Sequence, residues 1–305
     1  MSRASQRAAM AAPIVTLLAV GSTLFWLHQN PALVYKGPRT VAQASACGNE
    51  RKVSHYLGIA PGTDWQLKIR RFTSARLRPS LVIDYTSFGV PLDGTRMCEL
   101  IKLGDLPLVV FNPRTQKLSA IAAGKYDAWI KTYAHEVSDI HHRIVLSFAP
   151  EMNGWWDPWG APHSTPAAYV AAWRHIHNVF HREHVNNVIW SWDIDDCCSS
   201  HQWWPGAKYV NWVGVDGYLR QARPYSVVFA GRIKEVRTFT RKPILIAETA
   251  VAPGPEWKRN VVSLFVGERK DHLLGVIWFD SNGQARWRID NNRAALAFVR
   301  REAAK

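Results

Sequence analysis

Two glutamates stand at the tips of apolar runs. In Arg143–Gly160, read RIVLSFAPEMNGWWDPWG, the apolar Ile144, Val145, Leu146 and Phe148 stop at Pro150, and Glu151 follows at once. After it come Met152, Asn153, Gly154 and three tryptophans, Trp155, Trp156 and Trp159. Glu248 is the single acid at the end of a second run, KPILIAETA. A buried strand fixes such an acid in place, and neighbouring indoles offer flat faces that stack on the apolar faces of sugar rings. Cleavage of a glycosidic bond needs such a pair, one protonated carboxyl on the leaving oxygen and one ionised carboxylate facing the anomeric carbon. Apolar walls and nearby negative charge keep the first acid protonated near neutral pH. The plainer alternatives are a surface glutamate among structural tryptophans at 151 and a helix cap at 248. The two residues lie far apart in the chain, so only the fold can unite them.

The elements that would do so are readable. Short apolar runs recur at Val53–Leu57, Leu81–Asp84, Leu108–Phe111, Ile144–Phe148, Val188–Trp192, Trp212–Val215, Ile244–Ala247 and Gly275–Phe279. Helical spacing intervenes, with Trp129, Ile130, Tyr133 and Val137 in one stretch. Thr165-Pro166 opens another, a hydroxyl cap followed by proline at the first helical position, and its inward face would hold Val170, Trp173, Ile176 and Phe180. Eight strands alternating with helices over about 250 residues predict a (β/α)8 TIM barrel, with a doubly wound sheet as the alternative. In a barrel the chemistry sits at the carboxyl ends of the strands. Tyr85, Asn112, Glu151, Asp216, Glu248 and Asp280 all follow or close such runs. Asp84 is a further strand-end polar residue and, with Tyr85, Asn112 and Asp280, a candidate substrate contact; Asp193, Asp195 and Asp196 after the fifth run could contact sugar hydroxyls, bind a cation or cap a helix, the last being expected.

The chain has 305 residues, 47% of them hydrophobic and 20% charged, which fits one globular domain and excludes a disordered or fibrous protein. Its formal charge of +14 suggests an anionic neighbourhood. Lys and Arg are scattered and no nucleic-acid-reading motif is present, so no nucleic-acid partner is expected. Arg3 and Arg7 precede an apolar stretch from Met10 to Leu27, which reads as an uncleaved signal-anchor with the remaining chain outside the cytoplasm. A cleaved signal peptide is the alternative. Residues 1–45 are therefore set apart as anchor and stem, and 46–305 as the catalytic domain, expected to be a monomer. Cys47, Cys98, Cys197 and Cys198 allow three full disulfide pairings in a translocated domain. No Cys/His set has metal-ligand spacing, so neither metal nor cofactor is expected.

The sequence resembles glycoside hydrolase family 26, whose members include β-mannanases, β-1,3-1,4-glucanases and xylanases. The resemblance rests on GluMetAsnGly with the following tryptophans and ProTrpGly (151–160), on TrpTrpProGly (203–206) and TyrValAsnTrpValGlyValAspGlyTyr (209–218), on Glu248, and on TrpPhe with ArgTrpArgIle (278–289). It implies a retaining barrel enzyme with Glu151 as general acid/base and Glu248 as nucleophile. It further implies that Tyr218 hydrogen-bonds the nucleophile and that Trp156 and Trp278 line the sugar subsites. Trp159, Asn153, Tyr85 and Asp216 are expected to contact substrate beside them. Mannanases of the family carry histidine before the acid, where this chain has Pro150, so the glycan is left open between mannan and β-glucan classes. A non-catalytic polysaccharide-binding barrel and an envelope transglycosylase using the same two glutamates are the competing readings.

Overall fold

The computed structural model describes residues 47–48, 51–282 and 286–305. Eight strands pair in sequence order, β1-β2-β3-β4-β5-β6-β7-β8, every pair parallel, and β8 returns to β1 to close the barrel. They are β1 Tyr56–Ala60, β2 Leu81–Ser87, β3 Leu106–Asn112, β4 Ile144–Phe148, β5 Val188–Asp195, β6 Trp212–Asp216, β7 Ile244–Thr249 and β8 Gly275–Phe279. Nearly every residue in them is buried, as a parallel sheet wrapped in helices requires. Closure excludes the doubly wound alternative.

The first strand lies further along the chain than the apolar run Val53–Leu57 suggests. Tyr56 to Ala60 pair residue for residue with Gly275 to Phe279 of β8. Val53 is only half-buried and takes no part in this ladder, so pairing with the last strand sets the boundary.

The helices are α1 Trp65–Ser74, α2 Gly94–Lys102, α3 Leu118–Ala122, α4 Asp127–Ser138, α5 Pro166–Arg182, α6 Tyr225–Val228, α7 Ala230–Phe239, α8 Trp257–Lys270 and α9 Arg293–Ala303. The start of α5 follows from its sequence: the Thr165 hydroxyl accepts the Ala168 N–H at 3.2 Å, and Pro166 supplies the first turn. Tyr169, Trp173, Ile176 and Phe180 bury its inner face, while Val170 sits at the edge, half-buried. Helix α4 buries Ile130, Tyr133 and Val137, and Trp129 stacks on Tyr133 with ring centroids 5.0 Å apart. Truncating a side chain as deep as Trp173 removes about 3–5 kcal/mol of stability.

Two disulfides are present, Cys47–Cys98 and Cys197–Cys198. The first staples the start of the domain to α2. Among the described residues no helix is long and apolar enough to cross a membrane. The expected anchor, Met10–Leu27, lies outside the described residues.

Candidate active site

The carboxyl ends of the parallel strands share one mouth of the barrel, and the two glutamates arrive there from β4 and β7. The backbone leading to Glu151 is unusual. Ala149 and Glu151, on either side of Pro150, both have left-handed φ, 48° and 54°. Non-glycine residues rarely sit there, and each costs about 1 kcal/mol or more unless its surroundings impose the conformation. Here they do. The Glu151 N–H donates to the Asp193 carbonyl at 2.8 Å, and the Ala149 N–H to the Phe111 carbonyl at 3.2 Å. The turn swings the acid off the strand axis and buries it completely.

The tryptophans after Glu151 divide the work. Trp156 donates its indole N–H to Glu151 Oε2 at 2.9 Å, so it holds the acid's rotamer. Gly154 makes room for this: a Cβ there would lie 2.3 Å from the Trp156 ring. Trp155 is the exposed member, packed edge-on against Trp156 at 5.6 Å. Trp159, expected to contact substrate, is instead buried behind the loop with its N–H on the Pro150 carbonyl at 2.7 Å. Asn153 also corrects its expected role. Its amide donates to the Asp195 and Cys198 carbonyls at 2.9 and 2.7 Å and accepts the Asp195 N–H at 3.0 Å. Those three bonds leave it little capacity for a sugar, and they tie the Glu151 loop to the end of β5.

Glu248 is held differently. The Tyr85 phenol, from β2, donates to one carboxylate oxygen and the Tyr218 phenol, two residues beyond β6, to the other. Tyr218 was expected here. Tyr85 was expected on the sugar and is found on the acid. Burial pushes the Tyr85 phenol well above its usual pKa, with the Glu248 charge and hydrogen bond adding to the effect, so it remains a donor. Asp216 lies opposite Glu248 in the β6–β7 ladder, where the register is irregular. Burial first, then the charges of Glu151 and Glu248, raises its pKa well above the usual carboxylate range. Three carboxyl groups thus share one buried volume, and their mutual repulsion there favours the protonated form of Asp216.

Trp278 is buried at the end of β8 and donates to the Trp287 carbonyl at 3.2 Å. Trp287 in turn packs on Tyr218, ring centroids 4.7 Å apart. That residue was quoted only as part of a motif, and its partner Tyr218 is the signal that could have singled it out. Other strand-end polar groups have partners within the fold. Asp84 pairs with Arg96 at 2.5 Å, and Asp280 accepts the N–H groups of Ile289 and Asp290 at 2.7 and 3.1 Å. Asn112 closes β3, half-buried, with its carbonyl accepting the Phe88 N–H at 2.8 Å. None of the aspartates at 193, 195 and 196 caps a helix. Asp193 is a buried acceptor for Ser191, Asp195 accepts the Cys197 N–H at 2.7 Å, and Asp196 pairs with Arg223 at 2.5 Å. Asp157, whose carboxyl has no hydrogen-bond partner among the described residues, is raised well above the usual range by burial and by Asp195. Among the described residues no group of three or more His, Cys, Asp or Glu could hold a metal ion.

The barrel and its mouth have counterparts among known proteins. Endoglucanase H of Acetivibrio thermocellus is 29% identical over 217 residues, which cover 65% of this chain and 24% of that protein. Mannan endo-1,4-beta-mannosidase A and B of Caldalkalibacillus mannanilyticus is 37% identical over 87 residues, 25% of this chain and 17% of its own. The match thus spans a quarter or less of the length of these relatives. Among solved structures, a Bacillus subtilis mannanase superposes with a TM-score of 0.63 at 17% identity, covering 84% of this chain and 88% of that one. A family 26 β-mannanase from Bacteroides ovatus covers 92% and 93% with a TM-score of 0.56 at 16% identity. These likenesses are likenesses of fold. The model of glycosyl hydrolase family 26 matches residues 109–282, more than half of the chain, a span that contains both glutamates, Trp156, Tyr218 and Trp278. The chain belongs to glycosyl hydrolase family 26.

Proposed function

We propose that the protein is a retaining, endo-acting β-glycanase that hydrolyses a β-linked polysaccharide of the mannan or β-glucan class. The observation that carries this reading is the carboxylate of Glu248, gripped by two phenols, in one buried volume with Glu151 and Asp216. Two donors on an anion fix its rotamer and favour its charged form, which is what a nucleophile at an anomeric carbon requires. In the first step a Glu248 oxygen bonds to the anomeric carbon. The glycosidic C–O bond breaks, and Glu151 gives its proton to the departing oxygen. In the second step Glu151 takes a proton from water, whose oxygen attacks the same carbon and releases Glu248. Trp156 holds Glu151 through both steps. Membership of the family and the likeness to an endoglucanase and a mannanase support the choice of glycan classes. The outward-facing, membrane-tethered location expected from residues 3–27 belongs to the same proposal.

The test is product release from mannan, mixed-linkage β-glucan and xylan by the full chain, beside Glu151→Ala and Glu248→Ala. Activity on one glycan that collapses in both variants supports the reading. Activity that survives in both overturns the assignment, and binding without turnover on the whole panel points to a binding barrel.

A further inference from the structure

On the outer wall of the barrel, α1 and α9 leave an open trough of about 740 Å³. Four arginines line it: Arg71 in the last turn of α1 and Arg76 just beyond it, and Arg293 and Arg300 on α9. The small side chains of Ser74, Ala75 and Ala297 line it with them. Its one carboxylate, Asp290, is already engaged, by Arg71 at 2.5 Å and by Arg288 at 2.9 and 3.1 Å. Arg76, Arg293 and Arg300 are exposed, and their side chains have no ion pair, hydrogen bond or ring partner among the described residues.

Helix stability accounts for only part of this. A cation beyond the end of α1 or in the last turn of α9 favours the helix dipole, which suits Arg76 and Arg300. Arg293 is the first residue of α9, where a cation opposes the dipole by about 0.3–1 kcal/mol. Like charges gathered on one concave surface also repel, unless an anion lies between them. Guanidinium groups in that setting match carboxylate or phosphate oxygens, which they bind bidentately. The arrangement is also linear. Arg293 and Arg300 lie on one stripe of α9, seven residues or about 10 Å apart at 1.5 Å per residue. That is the scale of the disaccharide repeat in an acidic glycan.

We propose that the α1/α9 trough binds a strand of acidic polysaccharide, with successive carboxylates seated on Arg293 and Arg300. The strand is held on the side of the barrel, apart from the mouth where cleavage is placed. The excess positive charge of +14 draws such a polymer in at long range, and the trough gives it a place to lie. This site does not depend on turnover, so it stands or falls apart from the glycanase reading.

The experiment is calorimetric titration of the full chain with a hyaluronan octasaccharide, which carries one carboxylate per disaccharide, and with neutral mannohexaose as control. The octasaccharide should bind with an affinity that falls as salt rises. Arg293→Ala with Arg300→Ala should weaken it about tenfold, as the loss of two charge-assisted pairs implies. Lys117→Ala with Lys234→Ala, which removes the same charge from exposed positions elsewhere, should leave it nearly unchanged. Ala297→Trp keeps every charge and fills the trough, so it should reproduce the tenfold loss and guards against a mere folding defect. No binding of the octasaccharide, or equal weakening by both charge pairs, would overturn the proposal. So would phosphatidylglycerol vesicles, bound through Arg293 and Arg300 while the octasaccharide is ignored, since the trough would then serve a membrane surface.

Discussion

Tyr85 and Tyr218 reach one carboxylate from opposite sides of the barrel, each phenol donating to a different oxygen of Glu248. The two bonds act together on one rotamer, so their removal should not be additive. Tyr218→Phe or Tyr85→Phe alone should lower kcat by about ten- to a hundredfold, the usual worth of a hydrogen bond to a charged group. KM should change little. The double variant should lose less than the product of the two single losses. Steady-state kinetics on the preferred glycan decide this, and fully multiplicative losses would show that the phenols act independently.

In the proposed reaction Glu151 acts first as an acid, and an acid is dispensable when the leaving group needs no proton. Glu151→Ala should be severely slowed on polysaccharide yet form the glycosyl-enzyme readily from an activated aryl glycoside, and it should then stall for lack of a base. Burst kinetics with a dinitrophenyl glycoside read both effects. Equal impairment on the two substrates would remove Glu151 from the acid role.

The bonds of Asn153 to Asp195 and Cys198 make the Cys197–Cys198 turn part of the support for the Glu151 loop. A dithiol reductant opens that bond, each sulfur taking up a hydrogen as the reductant closes to its own disulfide. The freed turn should loosen Asn153. Ordering a residue costs on the order of 1 kcal/mol, so kcat should fall about five- to tenfold. Hydrogen exchange in residues 150–160 should rise in parallel. Cys197→Ser with Cys198→Ser should show the same lowered kcat and no further response to reductant, which separates this bond from Cys47–Cys98. Unchanged exchange after confirmed reduction would contradict the coupling.

Asp105 gives a pH dependence of stability. It is buried beside Arg51, 3.1 Å away, and burial outweighs that partner, lifting its pKa from 3.8 to about 6. Between those values the folded protein holds a proton that the unfolded chain has lost. The contribution of this group is full below pH 3.8, drains away as pH rises toward about 6, and is gone above it. Asp105→Asn should flatten that decline by at most about 3 kcal/mol. Urea midpoints measured across the window test it, and identical slopes in both proteins would be the contrary result.

Much of this architecture can be read from the chain. Buried parallel strands are continuous apolar runs, so seven of the eight show their positions, and Val53 misplaces β1 only because its ladder with β8 is a long-range fact. Glu151 and Glu248 stand out because each is a lone glutamate at the tip of a buried apolar run, Glu151 with indoles beside it. The roles of Asn153, Trp159 and Tyr85 are not legible in the same way. Their types suit a sugar contact, but the left-handed turn at 149–151 points Trp159 and Asn153 at main-chain carbonyls, and barrel closure carries Tyr85 to Glu248. The aspartates at 193, 195 and 196 look like caps in sequence, yet their partners are Ser191 on the same strand, the Cys197 N–H in the turn beyond β5, and Arg223 from far along the chain.

The central claim is that Glu248 becomes covalently bonded to the sugar. Incubation with a 2-deoxy-2-fluoro glycoside bearing a good leaving group slows the second step and lets that adduct accumulate. Digestion and peptide mass spectrometry should then place one fluoro-sugar on Glu248, with no adduct in Glu248→Ala. A label on any other residue, or turnover with inverted anomeric configuration and no label, would contradict the account.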